Sequence, residues 1–430
     1  MEFEALEIND RPEMMAIGDS LYNGVRSLTI KEDLAQGSPP AQVARGLGIA
    51  IEVPDYRRPV LFDLEEELRD GIDLDRIRSN ILDNADRWIE ERGAWSSARF
   101  FDNISVAGFD YRDLHRTTAG ALRPQIPRHL AQLRADKGLN FSALVDLYMA
   151  LNTAFLLNPT GDPDFEDLTS LEWVASRKPR RLLINIGSNE GLFRIGISGA
   201  VTREYLDGVK TIPALTQTLA EALRDHCADV EHIYFNALIR PRVIANLAPR
   251  TDDEMFQTPG DAYFKRYVGR LGSIGGISAA QMQRFDETVR EVNEACARIL
   301  KDTLGGKAHV IDTYALADDF DGKHYGNARK VQVQRGNTPL RLSNLPFSAN
   351  IFGFRQGGLF SLDNMHLTKP GYTLLANAVG KAIADAEGAA FTEIDPQDTF
   401  EADTLVTDPP RSVDRIGLVA SLLALFVLRD

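Results

Sequence analysis

Ser20 stands where a short apolar run, Met14-Met15-Ala16-Ile17, stops abruptly on Gly18-Asp19. Such a run reads as a strand ending in a tight turn, and a serine displayed at the mouth of an α/β sheet lies where these folds bind and transform ligands. Its hydroxyl is unreactive alone. Acyl chemistry asks its neighbours for a base, a group that orients the base, and donors for the developing oxyanion. Base and orienter occur together in Asp363-Asn364-Met365-His366. A carboxylate three residues before a histidine can curl back in one turn and accept the Nδ1 proton, leaving Nε2 to face the nucleophile. Two donor sites lie between. Residues 101–108 read as a strand ending on Gly108, whose N–H a ligand can approach because no Cβ blocks it. Residues 182–189 read as another, ending in Gly187-Ser188-Asn189 with a side-chain amide free to donate.

Taken in order, Gly18-Asp19-Ser20-Leu21, Asn103-x-x-x-x-Gly108, Gly187-x-Asn189 and Asp363-x-x-His366 resemble the four blocks of the GDSL, or SGNH, hydrolases, a family of serine esterases and lipases. Any one block occurs by chance in many chains, whereas all of them in family order is a specific signal. The resemblance implies Ser20 as nucleophile, His366 as general base and acid, and Asp363 as its partner. It implies an oxyanion hole built from the Ser20 and Gly108 backbone N–H groups and the Asn189 side chain, with neither metal nor cofactor. The implied fold is a five-stranded parallel sheet in a flavodoxin-like three-layer α/β/α sandwich, order 2-1-3-4-5, which periodicity alone does not give. One departure is visible: Glu190 follows Asn189 where the family usually has Asp. The amide donor is kept, so only the loop's local hydrogen bonding is expected to differ.

The implied activity is cleavage of a carboxylic ester, a lipid or other acylated small molecule, through an acyl-enzyme. The alternatives are an acyltransferase of the same family and a non-catalytic binding protein on the same fold. The latter would have no use for Ser20, Asp363 and His366 together.

The blocks run from residue 18 to residue 366, so one site has to gather both ends of the chain and no domain boundary can separate them. A single domain is expected, with insertions at about 52–95, 112–178, 248–278 and 318–361 and an acidic tail at about 390–430. Further strands read at 232–239 and 309–314, and helices at 39–48, 63–69, 74–91, 130–157, 168–176, 212–227, 279–300 and 372–387. Alternating strands and helices imply a parallel sheet with helices on both faces. The segment 318–361 reads as a loop rich in phenylalanine. Because it feeds the Asp363 turn, Phe347, Phe352, Phe354 and Phe360 are expected to contact the acyl or alcohol part of a substrate.

A formal charge of −14 over 430 residues argues against a nucleic-acid surface. Cys227 and Cys296 are too few for a disulfide framework and read as reduced core residues. His115 and His129 lack partners at metal-ligand spacing. Glycines at 269, 272, 275 and 276 invite a phosphate-loop reading, but no strand reads before them and no Gly-Lys-Ser/Thr ends the stretch. The first residues lack a charged segment followed by an apolar one, so a cytoplasmic location is expected, or secretion if a leader is removed. The apolar run 416–428 is shorter than the ~20 residues of a membrane span and is expected to dock as a terminal element.

Overall fold

The computed structural model describes residues 6, 8 and 10–410, apart from 70, 72, 91–94, 97, 136–140, 250–254, 256–259, 261, 270–274, 327–330 and 351–352. Phe352 and the apolar run 416–428 therefore lie outside the described residues.

Four apolar runs pair side by side in parallel: β1 (Met14–Gly18), β2 (Arg181–Asn185), β3 (His232–Asn236) and β4 (Ala308–Ile311), in the order β1-β2-β3-β4. β1 and β2 are in register from Met14 opposite Arg181 to Gly18 opposite Asn185, and both are buried throughout. Continuous burial is what a near-unbroken apolar run produces when both faces of a parallel sheet are covered.

The strand period of two sends alternate side chains to opposite faces. Met15, Ile17, Leu182, Ile184, Ile233 and Phe235 pack with residues of the long helices α2 (Arg203–His226) and α3 (Ala279–Leu304). Met14, Ala16, Leu183 and Tyr234 face the other way. They meet Val43 and Ala44 of α1 (Pro39–Leu47), and Leu375, Val379 and Ile383 of the closing helix α4 (Lys369–Glu387). The protein is thus a mixed α/β fold on a four-stranded parallel sheet, with helices on both faces.

The segment expected as a fifth strand lies along the free edge of β1 without forming a regular strand. Its backbone exchanges three hydrogen bonds with β1: Ala16 N–H to Asp102 O, Ile104 N–H to Ala16 O and Val106 N–H to Gly18 O, at 2.8, 2.9 and 2.9 Å. Only Ala16 and Asn103 form a bridge. Polar residues interrupt the ladder there. The Asn103 side chain bonds Tyr22 O and the Ser105 N–H, and the Asp102 carboxylate and N–H both go to the backbone of Glu52.

Other expectations change as well. Two helices, Ile126–Ala135 and Phe141–Leu157, stand where one was expected over 130–157. The turn-rich insertion 248–278 holds short antiparallel strands, with Arg266–Gly269 between Leu247–Ala248 and Ile277–Ser278. The aromatic segment 318–361 is not a loop. It carries two hairpins, Val331–Arg335 with Thr338–Leu342 and Ser348–Asn350 with Gly353–Gln356. The acidic tail also contributes to the interior: Phe400, Leu405 and Val406 are buried in the core and Asp403 is buried in an ion pair.

Candidate active site

Ser20 is delivered by the abrupt end of β1. Gly18 has φ 141°, a conformation that excludes most side chains, and a Cβ there would collide with the Asn185 carbonyl oxygen on β2. The chain then turns into a four-residue helix, Ser20–Asn23, capped by Asp19, whose carboxylate accepts the Leu21 N–H at 3.1 Å. Asn185 holds the same carboxylate at 2.7 Å and is itself held by Asn236 at 2.9 Å. A line of buried polar side chains across the strand ends therefore fixes the residue before Ser20. Burial pushes the Asp19 carboxyl up to about 6, against the pull of the Leu21 N–H, the Asn185 amide and His366.

The other end of the chain supplies the candidate base. Ser20 Oγ lies 2.9 Å from His366 Nε2, and His366 Nδ1 lies 2.8 Å from Asp363 Oδ2, so Ser20 and the Asp363–His366 pair, far apart in sequence, form one hydrogen-bonded line. Asp363 and His366 are buried, while Ser20 is partly exposed. The turn that carries them depends on Asn364, which sits at φ 52°, a conformation that asparagine tolerates better than most residues. Its side chain accepts the Phe347 N–H at 2.7 Å. Helix α4 begins immediately afterwards on the Thr368 cap and Pro370. The ring of Phe193 packs on the imidazole at 5.6 Å between centroids.

Asp363 is heavily supported. Oδ1 accepts from Ser361 Oγ, Met365 N–H and His366 N–H at 3.1, 2.9 and 2.8 Å, and Oδ2 accepts from Leu28 N–H at 3.0 Å as well as from His366. Burial alone would raise this carboxyl, but the facing imidazole and the N–H donors outweigh it and hold it below the usual carboxylate range. The Leu28 contribution escapes sequence reading. Ser27 and Leu28 both have positive φ, 54° and 58°, which no residue type here announces. This turn also exchanges hydrogen bonds between Ser27 and the Ser361–Leu362 backbone and side chain. Beside it the buried Arg26 pairs with Glu65 at 2.5 Å and Asp403 at 2.6 Å.

The expected donors gather nearby. Gly108 is exposed in a turn at φ 92°, where a Cβ would strike Met149 Sδ. That turn is tied to the end of β1 by the Val106 N–H bond to Gly18 O. Asn189 joins it, its Nδ2 donating to Phe109 O at 2.8 Å and keeping a second hydrogen for another acceptor. Glu190, the departure from the family pattern, bridges the same two loops by accepting the Tyr111 N–H at 2.8 Å. Burial pushes its carboxyl up to about 7 against the pull of that N–H.

Of the four phenylalanines proposed from sequence, Phe360 lines a cavity beside this site. Phe347 and Phe354 pack on each other at 5.7 Å and into a cluster with Leu64, Leu68 and Leu405. His324, which sequence reading did not single out, forms a second buried Asp-x-x-His pair with Asp321 at 2.8 Å. Its Nε2 meets the buried Tyr267 hydroxyl at 3.1 Å, and no serine or cysteine stands in that position.

Among the described residues no three His, Cys, Asp or Glu side chains gather so as to hold a metal ion, and no helix is long and apolar enough to cross a membrane. Cys227 and Cys296 are buried and unbridged. Compared with protein-family models, curated proteins and solved structures, the chain matches none.

Proposed function

We propose that this chain is a serine hydrolase of the GDSL/SGNH type that cleaves carboxylic esters through an acyl-enzyme. The observation that carries the reading is the line Ser20 Oγ, His366 Nε2, His366 Nδ1, Asp363 Oδ2, with separations of 2.9 and 2.8 Å. In this mechanism Ser20 Oγ attacks the ester carbonyl carbon as His366 Nε2 takes its proton. Asp363 holds the imidazole in the required tautomer and offsets the imidazolium charge. The oxyanion is met by the N–H groups of Ser20 and Gly108 and the remaining Nδ2 hydrogen of Asn189. As the tetrahedral species collapses, the carbon–alkoxide bond breaks and His366 returns the proton to the leaving alcohol. Water then enters by the same path in reverse, releasing the acid and free Ser20.

The same reading places 102–106 in the edge position of a five-stranded, flavodoxin-like order, supported by its three hydrogen bonds to β1. The test is hydrolysis of p-nitrophenyl acetate by wild type and Ser20→Ala, each verified as folded. Turnover by the wild type and its loss in the variant are expected; equal rates would reject Ser20 as the nucleophile.

A further inference from the structure

The ends of β2, β3 and β4 do not close against helix α4. A cavity of about 80 Å³ crosses them, passing Asn185, Ala237 and Thr313. Its wall is mainly apolar, from Leu21, Leu238, Phe320, Phe360, Leu367 and Leu374. Leu21 follows Ser20, Leu367 follows His366, and Ser188, also in the wall, precedes Asn189. The chain neighbours of nucleophile, base and amide donor thus all line the cavity, although Ser20, His366 and Asn189 themselves do not.

Three of its four polar lining side chains, all but Ser188, are committed elsewhere. Asn185 bonds Asp19 and Asn236, Thr313 donates to Ala237 O, and Asn344 donates to Val243 O and Asp321 while accepting the Lys323 N–H. A polar ligand placed there would lose its hydration and find only the Ser188 hydroxyl in exchange, whereas an alkyl chain gives up nothing of that kind.

We propose that this cavity takes the alkyl chain of the acyl group, so that the substrate is an ester of a medium-length fatty acid. The inference rests on the serine-hydrolase reading and adds the substrate class to it. At roughly 12 Å³ for each water-sized group, the volume admits about six such groups, a chain of about six to eight carbons.

The experiment compares kcat/KM for p-nitrophenyl acetate, hexanoate and dodecanoate with the full chain and two variants that fill the cavity from different elements, Ala237→Leu and Ala317→Leu. Each methylene buried is worth about fourfold (~0.8 kcal/mol), so hexanoate should exceed acetate at least tenfold, with no further gain at dodecanoate. Either filling variant should cut the hexanoate-to-acetate ratio about tenfold while acetate turnover stays within about threefold of wild type. Phe320→Ala, which enlarges the cavity, should move the preference toward dodecanoate. If the wild type hydrolyses acetate with a flat chain-length profile, or both filled variants fold and keep the wild-type ratio, the acyl pocket is wrong and the hydrolase reading stands. If no ester of the series is hydrolysed, both fall together.

Discussion

Asp363→Asn probes how the proposed catalytic line is held, because the change is isosteric and the surroundings dictate its outcome. Five donors converge on the wild-type carboxylate, three on Oδ1 and two on Oδ2. A carboxamide offers one accepting oxygen. If that oxygen keeps the Oδ1 position, it retains the Met365 and His366 N–H bonds, and the NH2 faces Leu28 N–H and His366 Nδ1. The imidazole must then accept at Nδ1 and carry its proton on Nε2, pointing a donor at Ser20 Oγ where an acceptor is needed. The opposite orientation opposes the NH2 to the two backbone N–H groups instead. Each buried donor left unsatisfied costs about 1–3 kcal/mol, so the first orientation, with Leu28 alone orphaned, is favoured. The variant should lose about 1–3 kcal/mol of stability and, by analogy with the same change in another serine triad, about 10⁴-fold in kcat. That is a barrier increase of about 5 kcal/mol. Steady-state kinetics on p-nitrophenyl acetate with a denaturant melt in parallel would measure both. A folded variant within tenfold of the wild-type kcat would refute the claim that Asp363 sets the tautomer.

Other consequences follow from the same geometry. Asn189→Ala should lower kcat by about 10²–10³ with little change in KM, since its amide acts on charge that develops in the transition state; a change confined to KM would contradict that role. Arg26→Met leaves Asp403 buried without its cation and Glu65 with Arg69 alone, and should cost about 3–5 kcal/mol in a chemical denaturation experiment, whereas a neutral result would mean water already reaches the buried carboxylates. Asp19 has a folded value of about 6, raised from 3.8, so the native state holds this proton more tightly than the unfolded chain. Its contribution is fully present below about pH 4 and is lost as pH rises through 6. Asp19→Asn removes that loss, and its stability relative to wild type should be up to about 3 kcal/mol better at pH 7.5 than at pH 4. The same difference at both pH values would exclude Asp19 as the titrating group.

The blocks around Ser20, Gly108, Asn189 and His366 are legible in the sequence because each sits where an apolar run meets a glycine or a capping residue, and those local signals act within a few residues. What resists reading depends on partners distant in the chain. Segment 101–108 has the apolar content of a strand, but Asp102 and Asn103 spend their side chains on Glu52, Tyr22 and Ser105. The turn at Ser27 and Leu28 carries no glycine to betray its positive φ, and it is held by contacts to Ser361, Leu362 and Asp363. Asp403 looks like part of a solvated acidic tail until Arg26 is found beside it. Phenylalanine content alone does not separate Phe360, in the cavity wall, from Phe347 and Phe354, which pack against Leu64 and Leu68.

The central claim is that Ser20 is an activated nucleophile. Its most direct test is to incubate the full chain with a fluorophosphonate, weigh the intact protein and map the adduct by peptide mass spectrometry. One adduct per chain is expected, on Ser20, absent in Ser20→Ala and strongly slowed in a folded His366→Ala variant. A folded wild-type protein that takes up no label, or labels equally well without Ser20, would contradict the account.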